Sequence, residues 1–404
     1  MAAGSATATT IQEYLLTVWP EKRVIAEVLE DSPLLGLVQK KQRGGRGIYI
    51  PVRYTGQQGR SAVFSTAQGN AASSESVEFV LTQVADYAVG SITGEALDLS
   101  DKSEDALGDV LDLEMTSCTD ALKRSLCVGI YGNGGGAIGR RSSVAGDVVT
   151  LTNPSDIVNF EVGMKLKAAS TDGTSGSLRA GTAATVTNVN TADGKITVDA
   201  VANITAFADN DYLFVEGDFG AKMKGIAAWI PTSTPSSTAF FGVDRTVHVQ
   251  RLAGHRYDGS GGPVRETIRK ALVECSRLSG FPDSVFLNPT EHFRLCEELE
   301  GKVVYERSSS PSMPEVGFQG AVILSPSGKK VKVYADPSCP VGYGWALRLS
   351  DWTFYHSSKN VPTLINRDSL AVARSASADS YEWRMGYRGQ LACHNPAHQC
   401  AITF

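Results

Sequence analysis

Close to its C-terminal end the chain places two thiols and two imidazoles within eight residues: Cys393, His394, His398 and Cys400. Thiolate sulfur and imidazole nitrogen are ordinary zinc ligands, so this is a candidate metal set and, with it, a candidate zinc enzyme. The local pattern argues for a plainer role. The segment reads as strand around Pro396, and adjacent residues such as Cys393 and His394 then point to opposite faces. Core and edge positions account for all four. His248, His255, His292 and His356 have no neighbouring cysteine or patterned carboxylate. No G-x-S-x-G elbow occurs to expose a nucleophilic serine. Gly134-Gly135-Gly136-Ala137-Ile138-Gly139 matches G-x-G-x-x-G, but a dinucleotide site needs a strand before the glycines and a helix after them. Here the order is reversed, which makes the stretch a linker. Nothing demands catalysis, and no cofactor or metal is expected.

The element that dominates the sequence runs over residues 103–131. Leu107, Leu111, Met115, Cys118, Leu122 and Leu126 follow a helical period, while Asp105, Asp109, Asp112, Thr116, Thr119, Asp120 and Lys123 share the opposite face. Asp101, Glu104 and Asp105 place negative charge at the positive end of the helix dipole. Gly132-Asn133-Gly134 supplies the stop. At ~1.5 Å per residue the helix spans roughly 43 Å, a strut suited to a broad, flat subunit. Gly108 costs about 1 kcal/mol relative to alanine, so packing of the apolar stripe must hold the helix.

The 404 residues suffice for two or three domains, with 42% hydrophobic and 20% charged residues marking a globular chain. A net charge of −5 excludes a strongly basic coat for nucleic acid. Seven scattered cysteines read as reduced thiols serving as small hydrophobes. No apolar run approaches the length of a membrane helix, and no secretory signal is evident, so a cytoplasm-like compartment is expected.

Residues 1–10 read as a tail. Ile11, Leu15, Val18 and Trp19, then Val24, Ile25, Val28 and Leu29, give two short amphipathic patches. With the apolar stretch 34–38 they look like an arm that packs on something else. A basic hinge over 40–46 and a strand over 48–54 follow. The weakly hydrophobic 55–76 lead to an alternating strand over 77–92, so that 43–80 form a long hairpin. Its tip has too little apolar surface to bury itself on its own body, which points to a neighbour's surface. Residues 141–220 are rich in Thr, Val, Asp, Asn and Gly, with short strands at 148–151, 184–189 and 195–198 and no convincing helix. That composition predicts an inserted β-barrel or sandwich. Afterwards come a helix opening at Pro263, a strand at 284–287, and a helix capped by Asn288 with Pro289 at its first position. A flexible loop at 308–314 and strands at 321–325, 331–335, 345–349, 351–355, 381–393 and 398–404 complete the chain.

This order of parts resembles the major capsid proteins of tailed bacteriophages, with the α+β Hong Kong 97-like fold. The segments SVFLNPTEHFRLCEEL and KKVKVYADPSCPVG are similar to the axial-domain core, and YEWRMGYRGQLACHNPAHQCAITF to the closing peripheral strands. The resemblance implies an N-terminal arm (1–42), an extended loop (43–80), a peripheral domain with the spine helix (81–140), an inserted β domain (141–220), an axial domain with its connections (221–365) and returning peripheral strands (366–404). It implies hexamers and pentamers of one chain in an icosahedral virion shell that is assembled in the host cytoplasm and expands on maturation. That shell would enclose double-stranded DNA without reading its sequence. A portal, a separate scaffolding protein and a decoration protein are the implied partners, with no membrane. Between Lys41 and Lys102 there is no lysine, so no loop-lysine cross-link is expected. Inter-subunit contacts are expected at Trp19, Arg53, Gln57, Gln58, Arg60, Asp105, Asp109, Asp112 and Lys123. An encapsulin-like compartment is the alternative of the same fold.

Overall fold

The computed structural model describes residues 32–45, 47–94, 104–300, 321–358, 361–365, 373–374 and 378–404, with side chains left aside at 104–113, 300 and 321. The tail, the amphipathic patches with Trp19, and the loop at 308–314 lie outside the described residues.

The spine helix is Glu104–Tyr131, 28 residues long. Met115, Leu122, Leu126, Cys127, Ile130 and Tyr131 are buried along one stripe. That stripe lies on a sheet built around the 14-residue strand Ser380–Cys393. Val84–Thr93 pairs antiparallel with it, from Ser380 opposite Thr93 to Gly389 opposite Val84. The other edge carries Trp352–His356, beyond which Gln39–Gln42 runs parallel. Trp383, fully buried, pairs with Gly90. A Cβ at Gly90 would sit 2.5 Å from the indole, so only glycine lets the ring lie across the neighbouring strand.

A second sheet has the order His255–Asp258, Cys400–Thr403, Tyr343–Leu347, Ser284–Leu287, Lys330–Ala335, Ala321–Leu324. Ser284–Leu287 is buried at all four positions, as befits a central strand covered on both faces. Its alternation splits two cores. Phe286, Trp345, Leu347 and Ala401 face the core shared with the spine helix. Val285, Leu287, Ala346, Cys400 and Ile402 face the helices Val264–Ser276 and Pro289–Glu300. Asn288 caps the second helix, accepting from the Thr290 amide at 3.0 Å.

The third body is a closed, all-antiparallel barrel. Around it run Tyr212–Val215, Ala137–Ala145, Val148–Leu151, Lys195–Val198, Ala184–Asn190 and Lys165–Ala169. Val149, Leu151, Leu166, Val186, Ile196 and Leu213 fill a core of its own. Closure removes the exposed strand edges that such Thr- and Val-rich sequence would otherwise offer. Two short helical turns, Pro154–Asn159 and Val201–Ile204, lie among its strands.

Three local expectations are corrected. Residues 34–38 do not wait for another surface: Leu34 and Leu35 are at most 1% exposed within the chain's own core. Ser32 and Tyr131 both donate to the buried Asp336 carboxylate, at 2.9 and 2.8 Å, and pin this segment to the end of the spine helix. The basic stretch from Lys40 is not simply a hinge, since Gln39–Gln42 forms a strand. The alternation over 77–92 hides a break. Ser76–Leu81 belongs to the hairpin and Val84–Thr93 to the large sheet.

Candidate assembly surface

The hairpin Ile48–Arg53 with Ser76–Leu81 has one buried and one open face. Ile48, Ile50, Val52, Phe79 and Leu81 enter the core, where the Phe79 ring meets Trp229 at 5.1 Å. Two bolts fix the base. Val80 donates its amide to the Phe241 carbonyl at 3.0 Å, and Arg251 donates to the Tyr54 carbonyl at 2.9 Å. The last ties across the hairpin join Glu75 to Tyr54 and Thr55. Outward of these, every residue from Gln57 to Ser76 is exposed except the half-buried Ala67. The tip is not merely loop, for Phe64–Gly69 is a short helix. It holds Val63 at 57% and Phe64 at 82% exposure. Exposed phenylalanine on a projecting element is unusual in a chain that acts alone.

Arg53, Gln57, Gln58 and Arg60 lie on this exposed projection. Lys123 sits half-buried on the spine helix, lining with Asp120, Arg124, Val158 and Glu161 a groove of about 750 Å³ between helix and barrel. Asp105, Asp109 and Asp112 are on the first turns of the helix, with side chains outside the description. The structure therefore groups four of the predicted contacts on the hairpin and four on the spine helix, while Trp19 lies outside the described residues. A signal overlooked at sequence level joins the two groups. Residues 32–74 contain six lysines and arginines and no acid, whereas 75–120 contain twelve aspartates and glutamates and only Lys102 as a base.

The barrel meets the body through a neck. Gly220 donates to the Gly135 carbonyl at 2.8 Å and Gly225 to Gly132 at 3.0 Å, so the chain enters and leaves side by side. Gly134 and Gly136 have φ of +90° and +87°, which explains the glycine run as neck and not cofactor loop. Lys222 bridges Asp86 at 2.9 Å and Asp218 at 3.2 Å and donates to Ser125 at 2.8 Å, tying neck, sheet and spine together. An Arg124–Glu161 ion pair adds a tether from spine to barrel. Beside them lies a cavity of about 300 Å³. Burial pushes the Asp218 carboxyl pKa up, against the pull of Lys222.

The Cys/His segment is divided between layers. Cys393 is buried in the core under the spine helix, Cys400 in the core under Val264–Ser276. His394 faces the Tyr355 ring. His398 bonds the Asp351 carboxylate at 2.7 Å and Asn395 at 3.1 Å. The four side chains thus serve different neighbourhoods. Among the described residues no group of histidine, cysteine and carboxylates is arranged to hold a metal ion.

No family model and no curated protein matches this chain. Solved structures do. The capsid asymmetric unit of cyanophage A-1(L) aligns over 92% of both chains with a TM-score of 0.53 and 12% identity. The chain has the Hong Kong 97-like capsid fold. Looser likenesses include Mycobacterium phage Ogopogo, at 11% identity, 92% of both chains and TM-score 0.43. A virus-like particle from Pyrococcus furiosus aligns at 8% identity, over 94% and 96% of the chains, with TM-score 0.40.

Proposed function

We propose that this protein is the major capsid protein of a tailed phage, a structural protein that assembles into hexamers and pentamers of an icosahedral head around double-stranded DNA. The observation that carries the reading is the hairpin: bolted to the core at its base, exposed along its whole tip, and crowned by Phe64, on a chain with the capsid fold. A second copy that received the tip would bury it. Arg53 and Arg60 would then face the acidic Asp105, Asp109 and Asp112 of a neighbour's spine, with Gln57 and Gln58 adjusting between them. Lys123 and, from the arm, Trp19 are further proposed contacts. Each interface would be modest, but a subunit held by several at once leaves only when all release. In this reading 1–42, 43–80, 81–140, 141–220, 221–365 and 366–404 act as arm, loop, peripheral domain, insertion, axial domain and returning strands. Scaffolding, portal and decoration proteins are proposed partners, and the shell expands as DNA enters.

Negative-stain electron microscopy of the protein, expressed alone and with its neighbouring genes, tests the proposal. Uniform polyhedral shells, or hexamers and pentamers, are expected. Monodisperse monomer or dimer in both preparations overturns it. Shells that copurify with an enzyme and exclude nucleic acid would assign a cargo compartment instead.

A further inference from the structure

Beside the base of the hairpin lies a cluster of cations that has no counter-charge among the described residues. The Arg245 guanidinium is about nine-tenths buried and stacks on the Phe240 ring, 4.1 Å from its centroid. Its Nη1 donates to the Ala228 and Trp229 carbonyls at 2.8 and 3.2 Å. Nε is buried with no acceptor, and no acceptor meets Nη2 among the described residues. The Lys224 ammonium lies 4.5 Å from the centre of the Phe241 ring and 5.2 Å from that of Phe240. Neither cation has a carboxylate within 4 Å among the described residues. Arg256 adds a third positive charge, itself bound among the described residues to the carbonyls of Ser233, Ala253 and Gly254.

Each part of this arrangement is costly for an isolated chain. Like charges repel, and a buried donor without a partner forfeits the hydrogen bonds it had in water. Burial, with Arg256 next to it, lowers the Arg245 pKa to about 10, and burial with Arg245 lowers that of Lys224. The stacked ring and two carbonyls nevertheless hold the guanidinium in one orientation. What they leave without an acceptor among the described residues is its Nε–Nη2 side, the fork that takes the two oxygens of a carboxylate in parallel once a small side-chain movement uncovers the buried Nε.

We propose that Arg245 and Lys224 form a receptor for a single carboxylate side chain contributed by a second copy of this chain. This rests on the shell reading. The acid-rich stretch 75–120 is the matching donor, with twelve acids against one base, and its Glu114 and Asp120 are exposed on the spine helix. A nucleic-acid phosphate fits less well. One aromatic-walled fork is built for one planar anion, and the chain as a whole, at net charge −5, repels a polyanion. Docking would thus place a counter-charge at the very root of the hairpin, coupling the loop's position to the presence of a neighbour.

Zero-length carbodiimide cross-linking of assembled protein tests this. The reagent activates a carboxylate, and the Lys224 amine displaces the urea to give an amide. Assemblies are made from mixed light and nitrogen-15 subunits and read by peptide mass spectrometry. Light–heavy peptides joining Lys224 to an acid in 75–120 are expected. Cross-links only between peptides of like isotope would place the donor in the same chain, for example in the N-terminal arm, and overturn the proposal. So would shells with no Lys224 cross-link, or polynucleotide retention that depends on Lys224 and Arg245. Arg245→Lys, which keeps charge but loses the fork, and Lys224→Met should each raise the assembly concentration about tenfold or more, with monomer melting unchanged in the half-buried Lys224→Met. Unchanged assembly in both variants overturns the proposal. Wild-type protein that never assembles removes the shell reading and this inference together.

Discussion

Burial holds the His255 imidazole neutral. It sits on the edge strand of the second sheet at 5% exposure, with Nε2 unpartnered among the described residues, and its pKa falls from 6.5 to about 4. Between those values the unfolded chain binds a proton that the fold refuses. Stability is therefore full above pH 6.5 and is lost as pH drops toward 4, by up to ~3 kcal/mol. Urea titrations across that window should show the slope, and His255→Gln should flatten it. Phe64 behaves in the opposite way. At 82% exposure, Phe64→Ser should leave monomer melting unchanged. If the side chain anchors the loop on a neighbour, assembly should need about a tenfold or greater rise in concentration, a loss of ~1.4 kcal/mol or more. Light scattering against concentration reads this directly. Neither residue was marked by the sequence. His255 lacks any patterned partner, and Phe64 sits in a run of small polar residues that reads as plain loop.

The barrel is the element most open to a test of independence. Its chain enters and leaves through paired backbone at Gly135 and Gly220, and its core shares no residue with the others. Residues 136–219 expressed alone should fold, giving β-rich circular dichroism and dispersed amide resonances. The remaining chain, closed by a short glycine linker, should keep cooperative melting. Loss of folding in both pieces would show that the Lys222 junction, not the neck, carries the link. Periodicity made the spine helix legible to within a residue, because a stripe of Leu, Met and Cys at helical spacing has one reading. Short strands at 148–151 and 195–198 were legible for the same reason, with turn residues on both sides. The break at Thr82-Gln83 was not. An alternating pattern continues smoothly through it, and only packing decides that Phe79 and Leu81 turn to Trp229 while Ile92 joins the large sheet.

At the scale of the molecule, pairing of the basic loop with a neighbour's acidic spine segment, as proposed, would make assembly salt-dependent. Raising ionic strength from about 0.05 to 0.5 M shortens the screening length several-fold, so assembly should slow and its threshold rise. Reversing charge at Arg53 and Arg60 together should mimic that effect at low salt. Restoration by the matching reversal of Asp105, Asp109 and Asp112 would tie the two segments together, and failure to restore would separate them.

By itself the sequence determined the local alphabet: the long strut, the inserted β body, the axial strands and helices, and a hairpin too polar at its tip to cover itself. These follow from periodicity, turn chemistry and composition, which act over neighbouring residues. Tertiary structure alone decided that Leu34 and Leu35 belong to the chain's own core, that Cys393 and Cys400 part to two sides of a sheet, and that Lys224 and Arg245 gather with no counter-charge among the described residues. Those outcomes depend on segments brought together from far along the chain, such as Ser32 and Tyr131 on Asp336. Burial and pairing there are properties of the packed molecule, and no local pattern encodes them.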